Sequence, residues 1–161
     1  LIGVRSTIGL NRQVFFVRMG GYDTHGSQVT RHTRLMTELS AGLSAFDAGM
    51  GELGLRDNVT TFTASEFGRT LTSNGDGTDH GWGGHHLVMG GSVDGMKIFG
   101  TMPSFVIGGP DDTRSGRLIP TTSAEQYAAT LALWFGVQDG ALNAIFPNLP
   151  NFATRDLGFM L

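Results

Sequence analysis

Residues 20–28 read GGYDTHGSQ and follow the apolar run QVFFVRMG. Asp23 and His25 stand one residue apart between glycines, where a buried strand is expected to end. A carboxylate and an imidazole are donors that zinc, manganese and iron accept. Two further segments carry related chemistry. TASEFGRT brings Ser65, Glu66 and Arg69, and GTDHGWGGHH brings Asp79, His80, His85 and His86. Four of the five histidines therefore fall in two of these three segments. One or two divalent ions held there would polarise an ester and generate hydroxide at neutral pH.

Each group also has an ordinary structural use. Asp-Thr-His between glycines reads equally well as a turn closed by an Asx-type hydrogen bond. Glu66 can accept N–H bonds from its own glycine loop or pair with Arg69. His85 and His86 are adjacent and face opposite ways in an extended segment, so at most one points into a site. His32, flanked by Arg31 and Arg34, belongs on a solvated helix face, and Trp82 covers the loop. The chemical reading rests on convergence. In open α/β sheets ligands bind beyond the carboxyl ends of the strands, and the three segments are expected to meet at one such edge.

The elements that would position them follow from periodicity. QVFFVR (Gln13–Arg18) is read as a buried strand and NVTTFTA (Asn58–Ala64) as a second. Between them Leu35, Leu39, Leu43, Phe46, Met50 and Leu53 recur at steps of three and four, one face of a helix capped by Ser27 or Thr30 and followed by Gly54. Strand, helix and strand at this spacing predict a right-handed βαβ unit with parallel neighbouring strands. Ser65 to Gly84 reads as a long polar loop without periodicity, the kind that carries function. HLVMGG suggests a third strand, KIFG a short edge strand, and Gly108 to Ser115 a turn-rich excursion. TTSAEQYAATLALWFGV is a second helix, with a Ser123–Gln126 capping box and Gly136 at its end. The expected fold class is α/β, a partial α/β/α sandwich with a mainly parallel sheet.

Bulk composition narrows the function classes. At 161 residues the chain suffices for one domain with a real core. A charged fraction of 16% is low, and 25 glycines are about twice the usual share, so the chain is loop-rich. A net charge of −3 offers no electrostatic footprint for nucleic acid. No basic run suggests a membrane surface, and no apolar stretch approaches the roughly 20 residues that span a bilayer. The absence of cysteine removes disulfides and thiolate chemistry and is compatible with cytoplasm or periplasm. Two or three strands are fewer than a parallel sheet normally has. Residues 1–161 are therefore expected to form a single domain that is the C-terminal portion of a larger one. Its open sheet would be covered by a homo-oligomer or by a missing N-terminal half.

GGYDTHGSQ, TASEFGRT, GTDHGWGGHHLVMGG, GRLIPTTSAEQYAATLALWFGV and FPNLPNF resemble, in order, the C-terminal part of the bacterial DUF1501 proteins, a family grouped with the alkaline phosphatase and sulfatase superfamily. The resemblance implies an alkaline phosphatase-like α/β/α sandwich, two metal ions and hydrolysis of phosphate or sulfate esters. By position Asp23 and His25 match the superfamily's first Asp–His pair, Glu66 the acid of the second, and His80 the late histidine. Their ion is implied to be zinc or manganese, with His85 or Asp79 rebuilding a weakened site. Glu66 and Arg69 are implied to be catalytic, Arg69 as a clamp on a small anionic ester.

The departures are specific. One residue separates Asp23 from His25 where the enzymes commonly have three, Glu66 replaces an aspartate, and Phe67 stands at its histidine partner's place. The superfamily's first aspartate and its hydroxyl nucleophile precede anything matched here, leaving Ser65, Thr70 and Thr78 as the nearby hydroxyls. Full-length relatives typically resemble exported proteins with a twin-arginine signal, which implies a periplasmic or secreted location. Two rival readings stay open: a metal-hydroxide carboxylesterase, and a degenerate member that binds an anionic ligand or partner without turnover.

Overall fold

The computed structural model describes residues 1–161. The leucine spacing produces the long helix it predicts. After a short helix α1 (Arg5–Ile8), α2 runs over Gln28–Glu52, burying Leu35 and Met50 and half-burying Leu39, Leu43 and Phe46. Ser27 is the cap residue, but it sits in the left-handed region with φ 50° and its side chain caps nothing. Asp76 does the work instead. Its carboxylate accepts the Ser27 N–H at 2.7 Å and its carbonyl accepts the Gln28 N–H at 3.1 Å. The helix thus starts where the turn around Asp76 meets it.

The sheets differ from expectation. β1 (Thr61–Phe62) pairs antiparallel with β4 (Val88–Met89), Thr61 opposite Met89 and Phe62 opposite Val88. β2 (Gly68–Ser73) pairs antiparallel with β3 (Thr78–Gly81), placing Arg69 opposite His80, with an irregularity between Arg69 and Ser73. The fold is thus two small antiparallel sheets among helices, and the mainly parallel, alkaline phosphatase-like sandwich is overturned. Gln13–Arg18 forms no strand, so the predicted βαβ unit is absent. A parallel inner strand needs neighbours on both edges and cover on both faces, and this chain provides neither. KIFG forms no strand either. The supposed irregular loop from Ser65 contains the β2–β3 hairpin, hidden in sequence because Arg-Thr-Leu-Thr-Ser alternates threonine rather than large apolar residues.

α3 (Ala124–Phe135) carries the predicted capping box: the Ser123 side chain accepts the Gln126 N–H, Gln126 Oε1 accepts the Ser123 N–H, both at 3.0 Å, and Gly136 ends the helix at φ 101°. With α4 (Leu142–Ile145) it builds the core, where Ala129, Leu142 and Leu149 are fully buried and Leu133, Val137 and Phe146 pack around them.

This core is small. Only 16 of 161 residues are buried, and the accessible surface is 10643 Å². A compact monomer of 17.2 kDa would expose about 7,800 Å². Val14, Phe16 and Val17 are 78%, 91% and 87% exposed.

Candidate metal centre

The hairpin and the segment before α2 converge on one point. Asp23 Oδ1 lies 2.8 Å from His80 Nε2 and 3.0 Å from His25 Nε2, and the two imidazole nitrogens are 3.3 Å apart. These three atoms are the chain's one group of three or more potential metal ligands. Ligands at about 2.0–2.1 Å from a tetrahedral ion stand about 3.3 Å from one another. The observed triangle is that face slightly contracted, so one ion fits above it with its remaining position open to solvent. Arg69 Nη2 also points at the same Asp23 oxygen, from 3.3 Å. Three nitrogens thus crowd one carboxylate oxygen, more than its lone pairs serve well. The hydrogen bond from His80, reinforced by the charges of both histidines and by Arg69, holds the Asp23 carboxyl below the ordinary carboxylate range.

Local structure explains the placement. His80 is delivered by β3, opposite Arg69 on β2. Its ring stacks on Phe67, centroids 3.9 Å apart and planes within 4°. Arg117 Nε donates to the His80 carbonyl at 3.2 Å. Asp23 and His25 have no ladder and are held by side chains. Arg69 donates to the carbonyls of Tyr22 and Thr78, tying the loop to the hairpin, while Asn74 Nδ2 donates to the His25 carbonyl at 3.2 Å. Asp79 Oδ1 lies 3.4 Å from His25 Nδ1. In the neutral imidazole that an ion needs, a carboxylate there would hold the proton on Nδ1 and leave the Nε2 lone pair for the ion. Gly77 makes the approach possible: a Cβ there would lie 2.5 Å from the Thr24 carbonyl oxygen and 2.6 Å from the His25 carbonyl carbon.

The site's geometry is thus an Asp–His pair from one segment and a late histidine from another. The family model for DUF1501, described as a protein of unknown function, matches residues 1–133. The chain belongs to the DUF1501 family. Neither the curated proteins nor the solved structures gave a match. The family match ends within α3, so FPNLPNF lies beyond it.

Within this DUF1501 chain the structure brings together Asp23, His25 and His80 of the sequence-predicted ligands. Glu66 and His85 are exposed and stand outside that group. Arg69 is near the site with its guanidinium turned inward, on Asp23, two carbonyls and the Phe67 ring, 5.1 Å from its centroid. This geometry makes it a brace between the segments. His86 is elsewhere, with Nδ1 3.3 Å from the Thr63 hydroxyl and its ring stacked on Tyr127. Burial, and secondarily the nearby His85, lower its pKa. Sequence reasoning missed Asn74, Arg117 and the supporting role of Phe67. The Asn-Gly-Asp-Gly turn is a signal that could have revealed the hairpin and hence Asn74. Nothing local marks Arg117, which arrives from a distant turn.

Proposed function

We propose that Asp23, His25 and His80 hold one divalent transition ion, zinc or manganese, and that the protein hydrolyses small anionic esters, phosphate or sulfate, at that ion. The observation that carries this reading is the triangle of ligand atoms at 2.8, 3.0 and 3.3 Å on an open surface. A bound ion would supply a Lewis acid and a water acidic enough to ionise near neutral pH. The chain's own residues would fix the two imidazoles and the carboxylate: Asp79 orients His25, Phe67 faces His80, and Arg69 anchors Asp23. The motif order resembles the alkaline phosphatase and sulfatase superfamily, which supports the substrate class and an exported, periplasmic or secreted location. The antiparallel sheets lend that kinship no support, so the reading rests on the cluster.

Two hydroxyls near the site are already engaged: Ser65 Oγ donates to the Phe67 carbonyl at 2.8 Å and Thr70 Oγ1 to the Thr72 carbonyl at 2.9 Å. This favours direct attack by water over a covalent intermediate on either group, and it keeps carboxylic esters as a second substrate class. The rival without turnover has its own support, since the inward Arg69 leaves no obvious clamp for a transferred group. Assays with 4-nitrophenyl phosphate, sulfate and acetate, with zinc or manganese and with a chelator, test the proposal. Turnover that requires metal and disappears in Asp23→Ala supports it. Stoichiometric metal binding with no turnover on any of the three esters would favour the non-catalytic reading.

A further inference from the structure

The turn between β2 and β3 carries Asn74 followed by Gly75, the chain's one asparagine–glycine step. The other five asparagines precede arginine, valine, alanine, leucine or phenylalanine. The backbone nitrogen of the residue after an asparagine can attack the side-chain Cγ, and a side chain on that residue hinders the approach. Glycine has no such side chain and moves freely through its backbone conformations; Gly75 stands at φ 117° with nothing within 4 Å of where a Cβ would be. Asn74 is exposed, so water reaches it. The same residue is a fixed post of the candidate site. Its Nδ2 donates to the His25 carbonyl at 3.2 Å and to Asp79 Oδ1 at 3.3 Å, and its Oδ1 accepts the Gly77 N–H at 2.9 Å. The Gly75 N–H donates to Ser73 Oγ at 3.0 Å. These bonds restrain both attacker and target, and the bond to His25 exists only while residues 22–26 lie against the hairpin.

We propose that Asn74 is a site of spontaneous deamidation, and that its conversion releases the segment bearing Asp23 and His25 from the hairpin. The Gly75 nitrogen bonds to Asn74 Cγ and gives up its proton, the Cγ–Nδ2 bond breaks, and the displaced amide takes that proton and leaves as ammonia. The five-membered imide then takes up one water, which opens it at either carbonyl to give aspartate or isoaspartate. One water is consumed and one ammonia released, with no oxidant or reductant. Either product puts a carboxylate where a donor stood. The His25 carbonyl and Asp79 lose their shared N–H group, and a new negative charge faces the Asp79 carboxylate across the gap that Nδ2 had bridged. Isoaspartate also lengthens the backbone by one carbon in the turn from which Asp76 holds the start of α2. Undocking of residues 22–26 frees Asn74 to react, and the reaction then opposes their return. The modification is independent of any ion; its effect on metal binding rests on the metal site proposed above.

The test incubates the 161-residue chain at neutral pH and physiological temperature and follows it by peptide mass spectrometry. The peptide containing Asn74 should gain one dalton, and should do so before the peptides of the other five asparagines. Asn74→Gln keeps an amide but must close a less favoured six-membered ring, so it should abolish the shift. Asn74→Asp gives the product directly. Chymotrypsin should cut it after Tyr22 about two- to tenfold faster than wild type, the factor that loss of one hydrogen bond gives. Its far-ultraviolet dichroism should match wild type, because Asn74 lies outside helix and strand. Zinc affinity, measured separately, should fall in Asn74→Asp by a similar factor. A wild-type chain that binds no zinc removes the metal site and leaves the deamidation to be judged by mass and cleavage. An Asn74 that keeps its amide as long as the other asparagines overturns the modification site. Unchanged cleavage after Tyr22 in Asn74→Asp overturns the release of the segment, as does faster cleavage accompanied by loss of dichroism, which would be global unfolding.

Discussion

The region around α3 and the segment before α2 use similar side chains to opposite effect. Ala129, Leu142 and Leu149 are fully buried, and the helix above them has a complete capping box and a left-handed glycine stop. Val14, Phe16 and Val17 are as apolar and almost wholly exposed. The difference lies in where partners come from. A helix satisfies its own backbone and asks its neighbours for one apolar stripe, which α4 and the chain after it provide within a short stretch of sequence. A strand satisfies neither edge nor face alone, and no other strand of this chain lies beside Gln13–Arg18. The Asp23–His25–His80 cluster bridges the two situations. Its histidine on β3 comes from a paired hairpin, while its Asp–His pair hangs on side-chain braces at the end of the unpaired run.

The largest expected effect breaks the packed side of the comparison. Leu142→Ala should cost about 2–5 kcal/mol by chemical denaturation, since a fully buried leucine leaves a cavity. A loss below about 1 kcal/mol would mean that this core is not the stable part of the molecule. Ser123→Ala should cost about 1 kcal/mol, because the hydroxyl that accepts the Gln126 N–H goes. On the other side, Phe16→Ser should change protomer stability by less than about 0.5 kcal/mol at a concentration where both proteins are monomeric, its side chain having no interior to leave.

A pH titration probes the packed side in a second way. Burial pushes the Tyr127 hydroxyl up to about 12. Its unfolded value is about 10, so the folded value is the raised one. The stability this group contributes is complete below about pH 10 and is lost as pH rises toward about 12. Tyr127→Phe should flatten that part of the stability profile. An unchanged slope would show that Tyr127 is more solvated than its place between Phe62, His86 and Phe159 implies.

What the sequence reveals follows the same division. Both long helices were legible, because the leucine steps, the Ser123–Gln126 box and Gly136 are local signals with local causes. The sheet was not. Whether QVFFVR pairs depends on strands elsewhere, and the apolar run is the same whether or not they are present. The hairpin was misread as loop because its alternating residues are threonines and its turn glycines resemble those of the surrounding loops. At the site, Asp23, His25 and His80 were legible by residue type and by order. Glu66 was drawn in by its position in the motif, yet no backbone pairing brings it to the cluster. The braces Arg69, Asn74 and Arg117 depend on tertiary approach, Gly77 being the one local sign that two segments meet.

The central claim is that Asp23, His25 and His80 form one metal site. Zinc-edge X-ray absorption on the zinc-loaded chain tests it most directly, together with metal content by elemental analysis. The account predicts one zinc per chain, with two imidazoles and oxygen ligands at about 2.0–2.2 Å, and loss of one imidazole in His80→Ala. Zinc bound with the same coordination in both His80→Ala and Asp23→Ala, or no zinc retained by the folded wild-type chain, would contradict it.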